Sequence, residues 1–299
     1  KIRYAEEGGA DKDGLIEIRR GVDDLSLGES HYAQVRILVD NNKYMKGMAV
    51  YSDDMPDGVD IVFNTNKKQG TPKGDVLKDI KNDPDNPFGS LIKAGGQSYY
   101  IDKDGKRQLS LINKRAEEGD WNEWSDTLSS QFLSKQSITL IKKQLNLASA
   151  DKQAEFDEIC SLTNPTVKKA LLKSFADDCD AAAVHLQAAA LPRQKYQVIL
   201  PVPSMKDNEV YAPNYKNGEQ VALIRYPHGG TFEIPILTVN NKQAEARRMV
   251  GNTPADVVGI NSKVAARLSG ADFDGDTVMV IPTGGKVKIT STRMDPKYG

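Results

Sequence analysis

Five residues near the C-terminus constrain this chain most: Asp272-Phe273-Asp274-Gly275-Asp276, followed without a break by Thr277-Val278-Met279-Val280-Ile281. The apolar, β-branched run reads as a buried strand, so the acidic string is the loop that feeds it. Alternate residues of an extended segment point to one side. A glycine before the last aspartate lets the backbone turn and bring that carboxylate round. The result is an acceptor-only nest carrying a charge of about −3 at neutral pH. Such a cluster repels itself unless a hard cation neutralises it. Mg2+ suits it, with Mn2+ as a substitute, because the ion takes oxygen ligands and keeps room for water and phosphate.

A solvated Asp-Gly turn is the plain alternative. The strand behind the loop argues against it, as does the helix-forming segment 263–268 ahead of it, which Ser269-Gly270 can end. A calcium EF-hand loop needs its glycine after the third aspartate and a glutamate at its twelfth position. Here the glycine falls between the second and third aspartates, and the twelfth position is Thr283.

The segment Ser269-Gly270-Ala271-Asp272-Phe273-Asp274-Gly275-Asp276 resembles the catalytic loop of the two-barrel RNA polymerases. That family includes the largest subunit of cellular RNA polymerase, single-chain phage polymerases and the eukaryotic RNA-dependent RNA polymerases of gene silencing. Upstream, the stretch from Val221 to His228 resembles the strand bearing the family's Arg-x-Pro, here Arg225-Tyr226-Pro227. Glu233–Val239 and Asp256–Asn261 follow in the order of the barrel strands that precede the loop. The resemblance covers residues 195–285. It departs at Ile224 and Gly270, where cellular subunits carry asparagine, and Ser269-Gly270 looks closer to the single-chain and silencing enzymes.

The resemblance implies an α+β fold with a double-psi β-barrel carrying the acidic loop. It implies Mg2+ held by Asp272, Asp274 and Asp276, and Arg225 at the nucleotide or transcript end. The matching chemistry is nucleotidyl transfer, in which a 3'-oxygen attacks an α-phosphate and two metals assist the nucleophile and the leaving pyrophosphate. An arginine is well suited to balance the phosphate charge. The family also places a second barrel before the catalytic one. Asp54-Met55-Pro56-Asp57-Gly58-Val59-Asp60-Ile61-Val62-Phe63-Asn64 resembles the corresponding stretch of the cellular second-largest subunit. Functional lysines of that subunit lie just upstream, where this chain has Lys43 and Lys46, although at a different spacing. The implied partners are a nucleic-acid template, an RNA product, ribonucleoside triphosphates, and the remaining N- and C-terminal regions of a parent polymerase. The expected source is a phage or prophage acting in a bacterial cytoplasm.

With 299 residues the chain can bury a sizeable core and form two or three domains. Its net charge of −1 lacks the bulk basic signature of a nucleic-acid binder. The distribution is uneven: residues 193–299 carry 14 Lys+Arg against 10 Asp+Glu, and residues 1–192 carry 26 against 31. The more positive third is the one expected to meet phosphate. Cys160 and Cys179 fit no metal spacing and read as ordinary thiols of a reducing compartment. No apolar run is long enough to span a membrane. The chain starts at Lys1 and ends soon after the acidic loop, and is expected to be the core of a longer protein. The family closes its site with a mobile helical element beyond the barrel, so the isolated chain is expected to fold but polymerise poorly.

Three regions follow. Residues 1–112 read as β-rich and as the candidate partner barrel, with strands expected at 34–39 and 59–63, a loop at 83–89 and a hairpin beginning at Tyr99. Residues 113–192 read as a helical connector. Leu128, Phe132 and Leu133, then Ile138, Ile141 and Leu145, keep a helical period. Asn164-Pro165 opens a helix expected to reach Leu186. Asp177, Asp178 and Asp180 then fall on a solvated face, His185 on a helix face, and Trp121 and Trp124 are packing anchors. Residues 193–299 return to strands. His228 suits a turn or an approach to the site.

Two competing functions use the same residues. In one, the barrel is a non-catalytic metal-binding scaffold of a phage or mobile-element protein. In the other, the carboxylates serve a metal-dependent nuclease, which lacks a convincing base for water.

Overall fold

The computed structural model describes residues 1–6, 10–115, 127–129, 136–187, 193, 195–254, 256–284 and 287–293. Trp121, Trp124, Phe132 and Leu133 lie outside them.

The first sheet is built from β1 (Ile2–Ala5), β2 (Leu15–Ile18), β3 (Tyr32–Val39), β4 (Lys43–Tyr51), β5 (Ile61–Asn64) and β9 (Ile112–Lys114). The spatial order is β1-β5-β2-β4-β3-β9. The stretch between β5 and β9 carries helix α1 (Lys73–Val76), strand β6 (Lys78–Asp79), which pairs with β4, and the hairpin β7 (Tyr99–Ile101) and β8 (Arg107–Leu109). Alternation along β3 and β4 decides which face is inside. Val35, Ile37, Val39, Met45 and Ala49 join Ile16, Ile18 and Phe63 in one core. Met48 and Val50, on the other face of β4, pack outward against the second sheet.

The second sheet contains β12 (Lys195–Pro201), β13 (Glu209–Val210), β14 (Gln220–Ile224), β15 (Ile236–Val239), β16 (Val257–Ile260) and β17 (Thr277–Pro282). Its order is β13-β15-β14-β17-β12-β16. Tyr211 and Gly259 exchange two backbone hydrogen bonds of 2.9 Å, which joins the two ends and leaves a nearly closed barrel. Its interior holds Ile199, Val221, Leu223, Val258, Ile260, Val278 and Val280.

The two sheets repeat one wiring. In each, the first strand runs parallel to the fifth: β1 with β5, and β12 with β16. The second runs parallel to the fourth: β2 with β4, and β13 with β15. The third is antiparallel to both the fourth and the last. The sheets meet across a shared apolar layer, where Leu15, Met48 and Val50 pack with Val198, Leu200, Val250 and Val257.

Between the sheets in sequence, β10 (Thr127–Ser129) pairs with β11 (His185–Gln187), and helices α2 (Ile138–Ser161) and α3 (Pro165–Val184) form a hairpin. Asn164 caps α3 by accepting from the N–H groups of Thr166 (3.0 Å) and Val167 (3.2 Å). The helix ends at Val184 rather than Leu186. His185 therefore opens a strand instead of sitting on a helix face, and Leu128 is in a strand too. In both cases the β10–β11 pairing overrides local helix propensity. Asp177, Asp178 and Asp180 are exposed, as expected of a solvated face. Cys160 and Cys179 are free thiols. No helix among the described residues is long and apolar enough to cross a membrane.

Candidate active site

Helix α5 (Ser262–Ala266) and helix α4 (Ala244–Val250) flank β16, and α5 leads into the acidic loop. Asn261 caps α5, accepting from Val264 N–H at 2.9 Å. Past the helix, Ser269 (φ 54°) and Gly270 (φ 64°) take left-handed conformations. Phe273 then turns inward and is 2% exposed within the barrel core. Burying a phenylalanine in this way stabilises by about 1.5–3 kcal/mol. The inward Phe273 leaves Asp272 and Asp274 facing outward, and Gly275 (φ 128°) brings Asp276 beside them. Ligand oxygens of all three carboxylates lie within 4.8 Å of one another, the only such acidic group among the described residues.

The loop hydrogen-bonds to itself and to the first sheet. Asp272 N–H donates to Asp276 Oδ2 (3.0 Å), and Asp274 N–H donates to Asp272 Oδ1 (3.1 Å). Phe273 N–H donates to the Asp13 carbonyl at 2.8 Å. Gln34 Nε2 donates to the Asp274 carbonyl at 3.1 Å. The approach is close: a Cβ on Gly14 (φ +92°) would stand 2.5 Å from Asp274 N, so only glycine fits there.

Both sheets supply cations. Arg225, just past the end of β14, sets Nη2 3.0 Å from Asp276 Oδ2, with both side chains 23% exposed. Lys46 on β4 sets Nζ 2.7 Å from Asp274 Oδ2. Lys43 is not part of this group. It lies three residues away on the same strand, hence on the opposite face, and pairs with Asp79 Oδ1 at 2.6 Å. His228 packs near the Tyr226 ring, with centroids 5.7 Å apart.

The carboxylates feel one another. Burial, followed by the negative charges of Asp274 and Asp276, pushes the Asp272 carboxyl up from 3.8 to about 7, with the Asp274 N–H hydrogen bond opposing. Asp13 is raised as well, mainly by burial and also by the charge of Asp274. Its carboxylate accepts from Asn66 N–H at 3.0 Å, and it feels the charge of Asp274. Sequence reasoning missed it. Its signal was an acid-glycine pair, Asp13-Gly14, directly before the apolar run of β2. Gln34 carried no such signal.

A cavity of about 580 Å³ opens between the sheets beside Gly275, lined in part by His31, Lys93, Lys114 and Arg115. It is the right size for a nucleotide-scale ligand. The donor set fits a hard divalent cation, being all carboxylate oxygen with water access.

No protein-family model and no curated protein matches this sequence. Among solved structures, the chain is similar to the RNA-dependent RNA polymerase QDE-1 from Thielavia terrestris. The TM-score is 0.52 over 98% of this chain, at 15% sequence identity. The chain spans 37% of the length of that protein. At this identity the likeness establishes a shared fold.

Proposed function

We propose that the chain is the catalytic part of a templated RNA polymerase. The observation that carries this reading is the meeting of three carboxylates from one sheet with Arg225 and with Lys46 from the other. A site for nucleotidyl transfer needs negative charge to hold metal and positive charge to hold triphosphate close beside it. The fold shared with a polymerase raises the prior for this reading without carrying it. In its finer form, the proposal takes both sheets as double-psi barrels and divides the chain into 1–112, 113–192 and 193–299. Ser269-Gly270 favours the single-chain and silencing branches, and a phage or prophage source is its narrowest version.

Asp272, Asp274 and Asp276 would hold Mg2+, which when bound would activate the attacking 3'-oxygen and neutralise the leaving group. Arg225 and Lys46 pair with Asp276 and Asp274 and would turn their donors toward phosphate oxygens. Gln34 and the Asp13 carbonyl hold the loop backbone still, so little reorganisation accompanies reaction. The inter-sheet cavity beside Gly275 would admit a nucleotide-sized group.

Titration with Mn2+, read by its paramagnetic signal, tests the site directly. The proposal expects binding that Asp274→Ala abolishes and that a ribonucleoside triphosphate strengthens. Metal binding indifferent to every triphosphate would favour the scaffold reading.

A further inference from the structure

The segment leading into the acidic loop is held by Glu233. Glu233 closes the single turn Thr231–Glu233 that follows β14 and Arg225. Its Oε2 accepts from Ser269 Oγ at 2.7 Å and also from Gly229 N–H. Ser269 stands in the left-handed region at φ 54°, which costs a non-glycine residue about 1 kcal/mol and needs an external tie to persist. Its carbonyl in turn accepts from Arg225 Nη1 at 3.4 Å, while the other end of the same guanidinium meets Asp276. The loop bearing Arg225 and the loop bearing the aspartates are thus tied twice, once through Glu233–Ser269 and once through Arg225.

A guanidinium on a flexible stem loses orientation unless its fork has fixed acceptors. Here one acceptor is the Asp276 carboxylate and the other the Ser269 carbonyl, beside the hydroxyl that Glu233 holds. Resting on the polymerase reading above, we infer that Glu233 is a positioning residue: it acts through Ser269 to aim Arg225 at the phosphates of the incoming ribonucleotide.

Glycine adopts the left-handed conformation freely, so Ser269→Gly keeps the carbonyl, removes the hydroxyl and should not weaken the fold. A merely structural tie predicts harmless behaviour from that variant. A positioning role predicts a loss of triphosphate affinity of about tenfold. Glu233→Ala should lose as much, and Glu233→Gln, which keeps an acceptor oxygen, should recover most of it. The deciding experiment is a double-mutant cycle. Equilibrium binding of a non-hydrolysable ribonucleoside triphosphate, with Mg2+, is measured for wild type, Arg225→Ala, Glu233→Ala and the double variant, beside thermal unfolding of each. The inference expects the double variant to bind no worse than Arg225→Ala alone. Additive losses, or Ser269→Gly binding like wild type, overturn it. Loss with Arg225→Ala but none with Glu233→Ala overturns the inference and leaves the polymerase reading standing. A wild-type protein that binds no triphosphate overturns both.

Discussion

The two sheets share a wiring and divide the labour. In each, five strands are laid down with the same parallel and antiparallel pairings before a last strand returns beside the third. What separates them is the connection into that last strand. In the second sheet, residues 261–276 form a short helix and the acidic loop, and β17 goes on to pair with β12 as well as β14. In the first, residues 65–111 form α1, β6 and the β7–β8 hairpin, and among the described residues β9 pairs only with β3. One topology therefore carries an acidic nest in one copy and the β7–β8 hairpin in the other. Chemistry resides in the loops and outward side chains, while the strands set distances. The first sheet still enters the site, through Lys46, Gln34 and the backbone at Asp13-Gly14. The second sheet supplies the carboxylates and Arg225, and the first adds Lys46.

The largest effect should come from the acidic loop. Asp274→Ala removes the carboxylate nearest the first sheet, and ribonucleotide incorporation should fall on the order of 10³-fold. Gly14→Ala comes next. It forces a Cβ into the Asp274 backbone at a left-handed position, and should cost about 1–3 kcal/mol in urea unfolding together with weakened metal binding. An unchanged Gly14→Ala protein would show that the sheets do not meet as closely as described. Lys46→Ala should raise the KM for triphosphate about tenfold. Lys43→Ala, on the opposite face, should leave kinetics unchanged, and equal effects of the two would erase the distinction between the faces of β4.

The last effect is a pH dependence. The Asp272 carboxyl keeps its proton in the folded state up to about 7, above its ordinary 3.8. Below the ordinary value both states are protonated. Between the two values only the folded state holds the proton, so metal-free stability falls as the pH rises through that window. Thermal unfolding with and without saturating Mg2+ measures it: the metal should raise the midpoint more at the upper end of the window than at the lower. A metal-induced rise independent of pH would contradict the burial and crowding of Asp272.

The sequence made the site's acidic half legible because its grammar is local. An alternating Asp-Phe-Asp with a glycine, directly before a β-branched run, dictates both the inward phenylalanine and the outward carboxylates. Strands β3 and β17 and the start of α3 were legible for the same reason. The basic half was only partly so. Lys43 and Lys46 look alike in sequence, and only the register of β4 against β3 separates them. Asp13, Gln34 and Glu233 act across long separations in the chain, where no periodicity points from one residue to its partner. The strand at His185–Gln187 depends on pairing with Thr127–Ser129, again a distant segment.

The most direct measurement is incorporation of labelled ribonucleotides by the longest available protein containing this chain. It would use single-stranded RNA and DNA templates, with Mg2+ or Mn2+, beside Asp274→Ala. The account predicts template-dependent extension that the substitution abolishes. A folded, metal-binding protein that extends no template, or extension that survives Asp274→Ala, would contradict it.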